Sequence, residues 1–250
     1  EKIVRQGKKT LDAFKPIGLE EEKAIGASLA MEVFKRFGGP YEDPRLLRYV
    51  NMVGQAVARV SDRPNIDYHF AILDSEAPNG FATPGGYVFV SIGLLRMLKN
   101  EAELAGALGH EIAHITHKHA LKTIQRSKEL HGVNALTMTV MEKDPSKFNK
   151  LIDEVSNVIF THGLDKNLEY EADKMGMEYA ARVGYQPNGL NEFIRVLGSS
   201  PAGKTSIFFS THPAPRDRVS RLRKLLSAKR RANASPVLAN RFETEVKERL

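Results

Sequence analysis

Residues 110–114 read His-Glu-Ile-Ala-His, inside the stretch EAELAGALGHEIAHITHKHA (Glu101–Ala120). On a helix, side chains four residues apart share one face, one turn above the other. Imidazoles at that spacing can chelate one ion in a tetrahedral site. Glu111 falls one position after the first histidine, at the edge of the same face. There it is badly placed to bind the ion but can reach a water beside it and take its proton. The spacing therefore specifies a helix, a pair of metal ligands (His110 and His114) and a general base (Glu111). The bland alternative is a helix with two histidines turned to solvent.

Composition narrows what else the site can contain. The chain has 250 residues, 42% of them hydrophobic, enough to bury a substantial core. It has no cysteine, so disulfides, thiolate ligands and thiol nucleophiles are excluded, and a metal must be held by nitrogen and oxygen. No apolar run approaches the roughly 18 residues that cross a bilayer. The formal net charge is +7, with much of the excess in Arg221–Arg231. Val219, Leu222, Leu225 and Leu226 form an apolar stripe there, so the basic residues read as the outer face of a helix. No aromatic residues interleave with them, and no nucleic-acid partner is expected. The sequence opens on Glu1 rather than methionine, and removal of a preceding segment, a signal among the candidates, is the expectation.

Along the chain, residues 1–18 read as a basic lead-in, 19–230 as one domain and 231–250 as a weakly patterned tail. The stretch GLEEEKAIGASLAMEVFKRFGG predicts a helix with acidic residues in its first turn and glycines at its stop. Asp43 and Pro44 mark the start of a second. IDYHFAIL (residues 66–73) and GYVFVS (residues 86–91) alternate as strands, with FATPGG as the intervening turn, predicting a small antiparallel sheet. Asn100 and Glu103 fit a capping box for the helix that carries the pentapeptide. Residues 128–162 are apolar only in patches. NLEYEADKMGMEYAARVGY predicts a helix closed by Gly184, residues 198–211 a loop, and Pro215 to Arg230 a last helix.

A catalytic zinc site needs a third protein ligand and an open fourth position. The extended motif HExxHxxGxxH is absent: no glycine follows His114 at the required place, and His119 has the wrong spacing. His117 shares the face of His110 but lies about 10 Å along the axis, at roughly 1.5 Å per residue, and reads as an outer histidine. A later helix offers carboxylates in NLEYEAD. Glu169 and Asp173 stand four residues apart, so one could bind the ion while the other accepts a hydrogen bond from a ligand histidine. Glu171, turned away by about 200°, reads as paired with solvent.

HEIAH followed by EYEAD resembles the zinc metallopeptidases of the CAAX prenyl protease/HtpX type, which are gluzincins, and their soluble envelope members above all. APNGFATPGGYVFVSIGLL resembles the strand-and-turn segment that precedes the zinc helix in that family, and THPAPRDRVSRL its late His-Pro segment. The likeness runs from about residue 19 to residue 228, in the family's order. It implies an α+β fold: a mainly helical zincin-like domain with a small antiparallel sheet beside the HExxH helix. It implies one Zn2+ per chain on His110, His114 and Glu169, Glu111 as general base, and Asp173 as partner of a ligand histidine. It also implies that His212 reaches the zinc as a fourth ligand or steadies the oxyanion, with Arg218 in a similar place. The chain departs from the family in reading Asn79-Gly80 where Asn-Ala is usual. It also carries neither the membrane helices nor the helical repeats of some members.

The activity so implied is zinc-dependent endoproteolysis of unfolded or misassembled polypeptides, in protein quality control. The compartment implied is periplasmic or envelope-associated, with the cytoplasm as the alternative, and peripheral contact with membrane or outer-membrane proteins is a possible partnership. A substrate peptide is expected to add as a strand along Gly86, Tyr87, Val88, Phe89 and Val90. The reading from another class is a zinc-stabilised chaperone or scaffold with little or no proteolysis; if His212 closes the site at rest, the two readings merge into a latent protease. The sequence does not set the oligomeric state.

Overall fold

The computed structural model describes residues 17–131, 145–199, 212, 215–227 and 235–250. Helix α1 spans Leu19–Phe37 and α2 Pro44–Arg59. Strands β1 (His69–Leu73), β2 (Gly80–Thr83) and β3 (Tyr87–Ser91) follow, then α3 (Ile92–Met97) and α4 (Glu101–Thr116). The remaining helices are α5 (His119–His131), α6 (Pro145–Asn157, continued by a π turn Val158–His162), α7 (Lys166–Val183), α8 (Gly189–Ser199), α9 (Pro215–Ser227) and α10 (Ala239–Glu245).

The helix starts follow local chemistry. Asp43 Oδ1 accepts the backbone N–H of Arg45 and Leu46 (3.0 and 2.9 Å), with Pro44 in the first turn of α2. Asn100 Oδ1 accepts from Glu103 N–H (3.0 Å), and the Glu103 carboxylate reaches back to Lys99 N–H (2.9 Å). Asp165 caps α7 through Asn167 N–H (2.8 Å), and Gly184, at φ 109°, ends that helix in the left-handed region.

The sheet differs from the expectation. Its order is β1–β3–β2, with β1 parallel and β2 antiparallel to β3, so it is mixed. Gly80–Thr83, expected in a turn, is a strand, and the turn is confined to residues 84–86, where Gly85 and Gly86 take φ of 79° and 113°. The proposed substrate edge is also corrected. Gly86 carbonyl oxygen accepts His69 N–H, and Tyr87, Val88, Phe89 and Val90 pair with β1 on one side and β2 on the other. Their backbone groups are already committed to the sheet. Residues 39–41 cover part of the outer edge of β1, through the Pro40–Leu73 bridge and the Tyr41 N–H to Ile72 carbonyl bond. The outer edge of β2 has no further strand beside it among the described residues.

Strand alternation divides the core in two. Phe70, Ile72, Val88 and Val90 face a layer made of α2, α3, α4, α7 and α8. Leu73, Phe81 and Phe89 face α1, α5 and α6, where Phe37 stacks on Phe81 (ring centroids 4.3 Å apart) and Phe160 meets both edge-on. Of the stretch 128–162, residues 132–144 lie outside the described residues, as does the expected loop apart from its first positions, 198 and 199, and as do residues 1–16.

Residues 235–250, expected to be weakly patterned, are part of the core. Phe242 and Val246 are fully buried against α2 and α4. Arg241 forms a bidentate pair with Glu101, which is buried in the first turn of α4. Tyr49 and Tyr185 hydroxyls donate to the same carboxylate (2.6 and 2.5 Å). Burial opposes the charge on Glu101, but these three donors outweigh it and hold the carboxyl below its ordinary value. A carboxyl with a depressed folded pKa stabilises the fold above its unfolded pKa, about 4.3, and that stability is lost as pH falls through the folded value. Glu101→Gln is therefore expected to cost about 1–3 kcal/mol at pH 7. Urea denaturation should show the gap to the wild type closing as pH is taken below 4.

Candidate metal centre

Two helices carry the centre, and they touch backbone to backbone. A Cβ on Gly109 of α4 would lie 2.7 Å from the Gly176 carbonyl oxygen of α7, and one on Gly176 would lie 2.5 Å from His110 N. Only glycine permits that approach. It sets the Glu169–Asp173 face of α7 against the His110–His114 face of α4. Every residue of α4 is buried, as expected of a helix packed all round. His110 is 2%, Glu111 4% and His114 6% exposed, which disposes of the solvent-facing alternative.

The donor atoms converge. His110 Nε2 and His114 Nε2 are 3.1 Å apart, and the Glu169 carboxylate lies 3.5 Å from each, through Oε2 to His110 and Oε1 to His114. His212 Nδ1 lies 2.5 Å from Glu169 Oε2. One donor atom from each of these four residues lies within 4.8 Å of the others. Ligands of a tetrahedral ion with bonds of 2.0–2.1 Å are separated by about 3.3 Å, so the His110, His114 and Glu169 spacings suit such an ion. Glu169 Oε1 is buried and has no hydrogen-bond partner among the described residues, as a metal ligand should be. The all-nitrogen-and-oxygen set, rich in imidazole, fits zinc.

The electrostatics agree. Burial opposes charge on Glu169, yet His212, His114 and His110 together hold its carboxyl well below the usual range. Burial outweighs the pull of the Glu169 charge and, with His110, His119 and His212 nearby, holds His114 well below its ordinary value. Burial also works against a charged His110, but hydrogen bonds to Asp173 and Glu169 outweigh it and raise its pKa to about 9. The pocket thus calls for positive charge at His110 Nε2, which a cation can supply in place of a proton. Burial pushes the Glu111 carboxyl up, toward the basicity useful in a proton acceptor.

Asp173 and Arg218 stand behind His110. Asp173 Oδ1 lies 3.1 Å from His110 Nδ1. Arg218, fully buried, donates to both Asp173 oxygens from Nε and Nη2 (2.9 and 2.6 Å). Burial would raise the Asp173 carboxyl, but the guanidinium holds it down. Arg218 also lines a small cavity together with Gly80, His110 and Glu111. Arg218 orients the group that orients a ligand. The sequence reading missed the glycine contact, which has no motif, and the placing of His119. That ring sits with Nδ1 2.9 Å from His114 Nδ1. Lys118, at φ 55°, breaks the helix between them and turns His119 back. Asp173→Asn should weaken zinc binding about 10–100-fold, measured by competition with a chromogenic chelator.

The profile of Peptidase family M48 matches residues 44–226. Over 230 residues the chain is 27% identical to a "Beta-barrel assembly-enhancing protease" of Yersinia pestis, covering 87% of this chain and 45% of that protein. It is 29% identical over 203 residues to the protein of that name in Escherichia coli K12, covering 76% and 40%. It is also 27% identical over 222 residues to "Mitochondrial metalloendopeptidase OMA1" of Schizosaccharomyces pombe, covering 85% and 63%. The chain therefore spans only part of the length of these relatives. With the match running through both ligand helices and on into α9, the chain belongs to peptidase family M48.

Proposed function

We propose that this chain is a zinc-dependent endopeptidase acting on unfolded or misassembled polypeptides. The observation that carries the reading is Glu111. Its carboxylate is buried at the centre without being one of the four clustered donors, and it lies under β2, where a Cβ on Gly80 would stand 2.9 Å from Glu111 Oε1. A purely structural metal has no use for a basic carboxylate there.

When bound, zinc supplies a Lewis acid that polarises the scissile carbonyl and acidifies the attacking water. Glu111 accepts the proton from that water and passes it to the leaving amine. The outer edge of β2, beside which no strand lies among the described residues, offers backbone groups to an extended peptide, with pairing that ignores side-chain identity. That selects chains able to extend, which is the property of unfolded substrates. Glycine at position 80 leaves the space between that edge and Glu111 clear.

His212 adds a regulatory element to the proposal. With Nδ1 beside Glu169 it occupies a fourth corner of the donor cluster, so substrate entry requires it to swing away. The resting enzyme is then latent. The same contact is what favours the second reading, a closed zinc site in a chaperone or scaffold.

The cellular role we propose is quality control in the bacterial envelope, by likeness to relatives whose name refers to β-barrel assembly. Among the described residues no helix is long and apolar enough to cross a membrane. The net charge of +7 suits peripheral contact with an anionic membrane surface or with outer-membrane proteins.

The test is cleavage of casein by zinc-loaded protein. Wild type should cut, and Glu111→Gln should bind zinc equally but lose at least about 100-fold in rate. His212→Ala should cut faster than wild type if it holds the site shut. A slower His212→Ala would move that residue into transition-state stabilisation. Full zinc occupancy without cleavage by either wild type or His212→Ala would favour the scaffold.

A further inference from the structure

We propose that His119 is a positioning residue of the metal centre: its ring, held by Glu171, fixes the tautomer and the angle of His114. The inference rests on His114 as a metal ligand and does not depend on peptidase activity.

His114 turns Nε2 into the donor cluster, 3.1 Å from His110 Nε2 and 3.5 Å from Glu169 Oε1. A neutral imidazole that gives one nitrogen to an ion carries its proton on the other. His114 Nδ1–H then needs an acceptor, and the atom facing it is His119 Nδ1, at 2.9 Å. That atom accepts only if the His119 proton sits on Nε2, and His119 Nε2 lies 3.2 Å from Glu171 Oε2. An ionised carboxylate only accepts, so it keeps the proton on that nitrogen. Every proton in the chain from Glu171 through His119 to His114 is thus assigned, and the lone pair of His114 Nε2 is left for the ion. The His119 side chain has no exposed surface, so water does not compete for either nitrogen.

The bend that brings His119 back is itself pinned. Lys118 N–H bonds the Ile115 carbonyl (3.1 Å), which also accepts from Arg63 Nη1 (3.2 Å). Arg63 and Lys118 both pair with the buried Glu22 carboxylate, at 2.8 and 3.4 Å, and that carboxylate accepts Gly85 N–H from the turn between β2 and β3. The end of the ligand helix is thus tied to α1 and to the sheet. The other support comes from α7. Of the three carboxylates in its NLEYEAD stretch, Glu169 joins the cluster, Asp173 meets His110 Nδ1, and Glu171 reaches His114 through the His119 ring. The intervening ring decides where the charge sits. Asp173 touches its histidine directly, is buried, and is matched by Arg218. Glu171, one ring farther from its histidine, keeps a side chain 41% exposed, so His114 is oriented without a second supporting anion being buried at the centre.

The experiment uses the full chain carrying Glu111→Gln, to prevent self-cleavage. Zinc affinity is read by competition with a chelator, and the His114 Nδ1 proton of the zinc-loaded protein is followed by NMR with isotope-labelled histidine. His114→Ala should lose tight binding; binding that survives it would overturn the centre, and the proposal with it. His119→Phe, which fills the space without an acceptor, should weaken zinc binding about 10–100-fold. In that variant the His114 Nδ1 proton, slow to exchange in the parent, should exchange freely with water. His119→Gln, whose amide oxygen can accept, should recover most of both. Glu171→Ala leaves the acceptor but frees its tautomer, and should lie between the parent and His119→Phe. Parent-like affinity with a protected proton in His119→Phe would overturn the proposal and leave the centre intact. So would a loss in His119→Phe that His119→Gln does not reduce, because the ring would then serve packing alone. Should circular dichroism show that His119→Phe fails to fold, Glu171→Ala decides, and parent-like affinity there would overturn the proposal.

Discussion

The contact between Gly109 and Gly176 is the constraint on which the rest of the structure hangs. Two helices that meet through side chains stand 8–10 Å apart. Here the carbonyl of one helix lies against the backbone of the other, with no room for a Cβ at either position. One residue along from that crossing is His110, and the residues that address it, Asp173 and Glu169, lie about one and two turns before Gly176. If the helices moved apart by a methyl group, the spacings of 3.1 and 3.5 Å among His110, His114 and Glu169 would open together. The spacing of the candidate donors is set here by backbone approach, before any side chain is considered.

Around that crossing lies a graded set of charges. Arg218 compensates Asp173, Asp173 orients His110, and Glu169 and His212 face each other across the centre. Burying such groups costs several kcal/mol each unless they are paired. In this chain the pairing also fixes direction: the bidentate Arg218–Asp173 contact leaves the carboxylate one orientation in which it can still meet His110 Nδ1. The stability cost is offset by a ligand ring that cannot turn.

What could be read in the sequence was what a single element encodes. The HExxH spacing, the Asp43 and Asn100 caps and the i,i+4 carboxylates of α7 each depend on geometry within one helix, and the structure places them accordingly. Strand order could not be read so, because pairing is set by tertiary packing. Gly80–Thr83 is short and poor in β-branched residues, and resembles a turn until β3 is beside it. Glu171 was misjudged for a related reason. Its angle on α7 does point away from Glu169, but the histidines it meets arrive through a left-handed residue, Lys118, that is not glycine and gives no warning. The C-terminal helix carries a single buried anchor, Phe242, with Val246 just past its end, too few to reveal a period.

The bond between Arg241 and Glu101 bears on biosynthetic timing. Ribosomes deliver a chain from its N-terminus, so Glu101, His110 and His114 emerge long before the guanidinium that lets Glu101 be buried. Until residue 241 is made, the start of the ligand helix holds an uncompensated carboxylate that prefers water to the core. His212 and Arg218 also come late. A nascent chain thus carries the parts of the candidate metal centre without the packing that aligns them. Alignment waits until the closing helix has docked, so the four donors come into register only after every segment that builds the centre has been made.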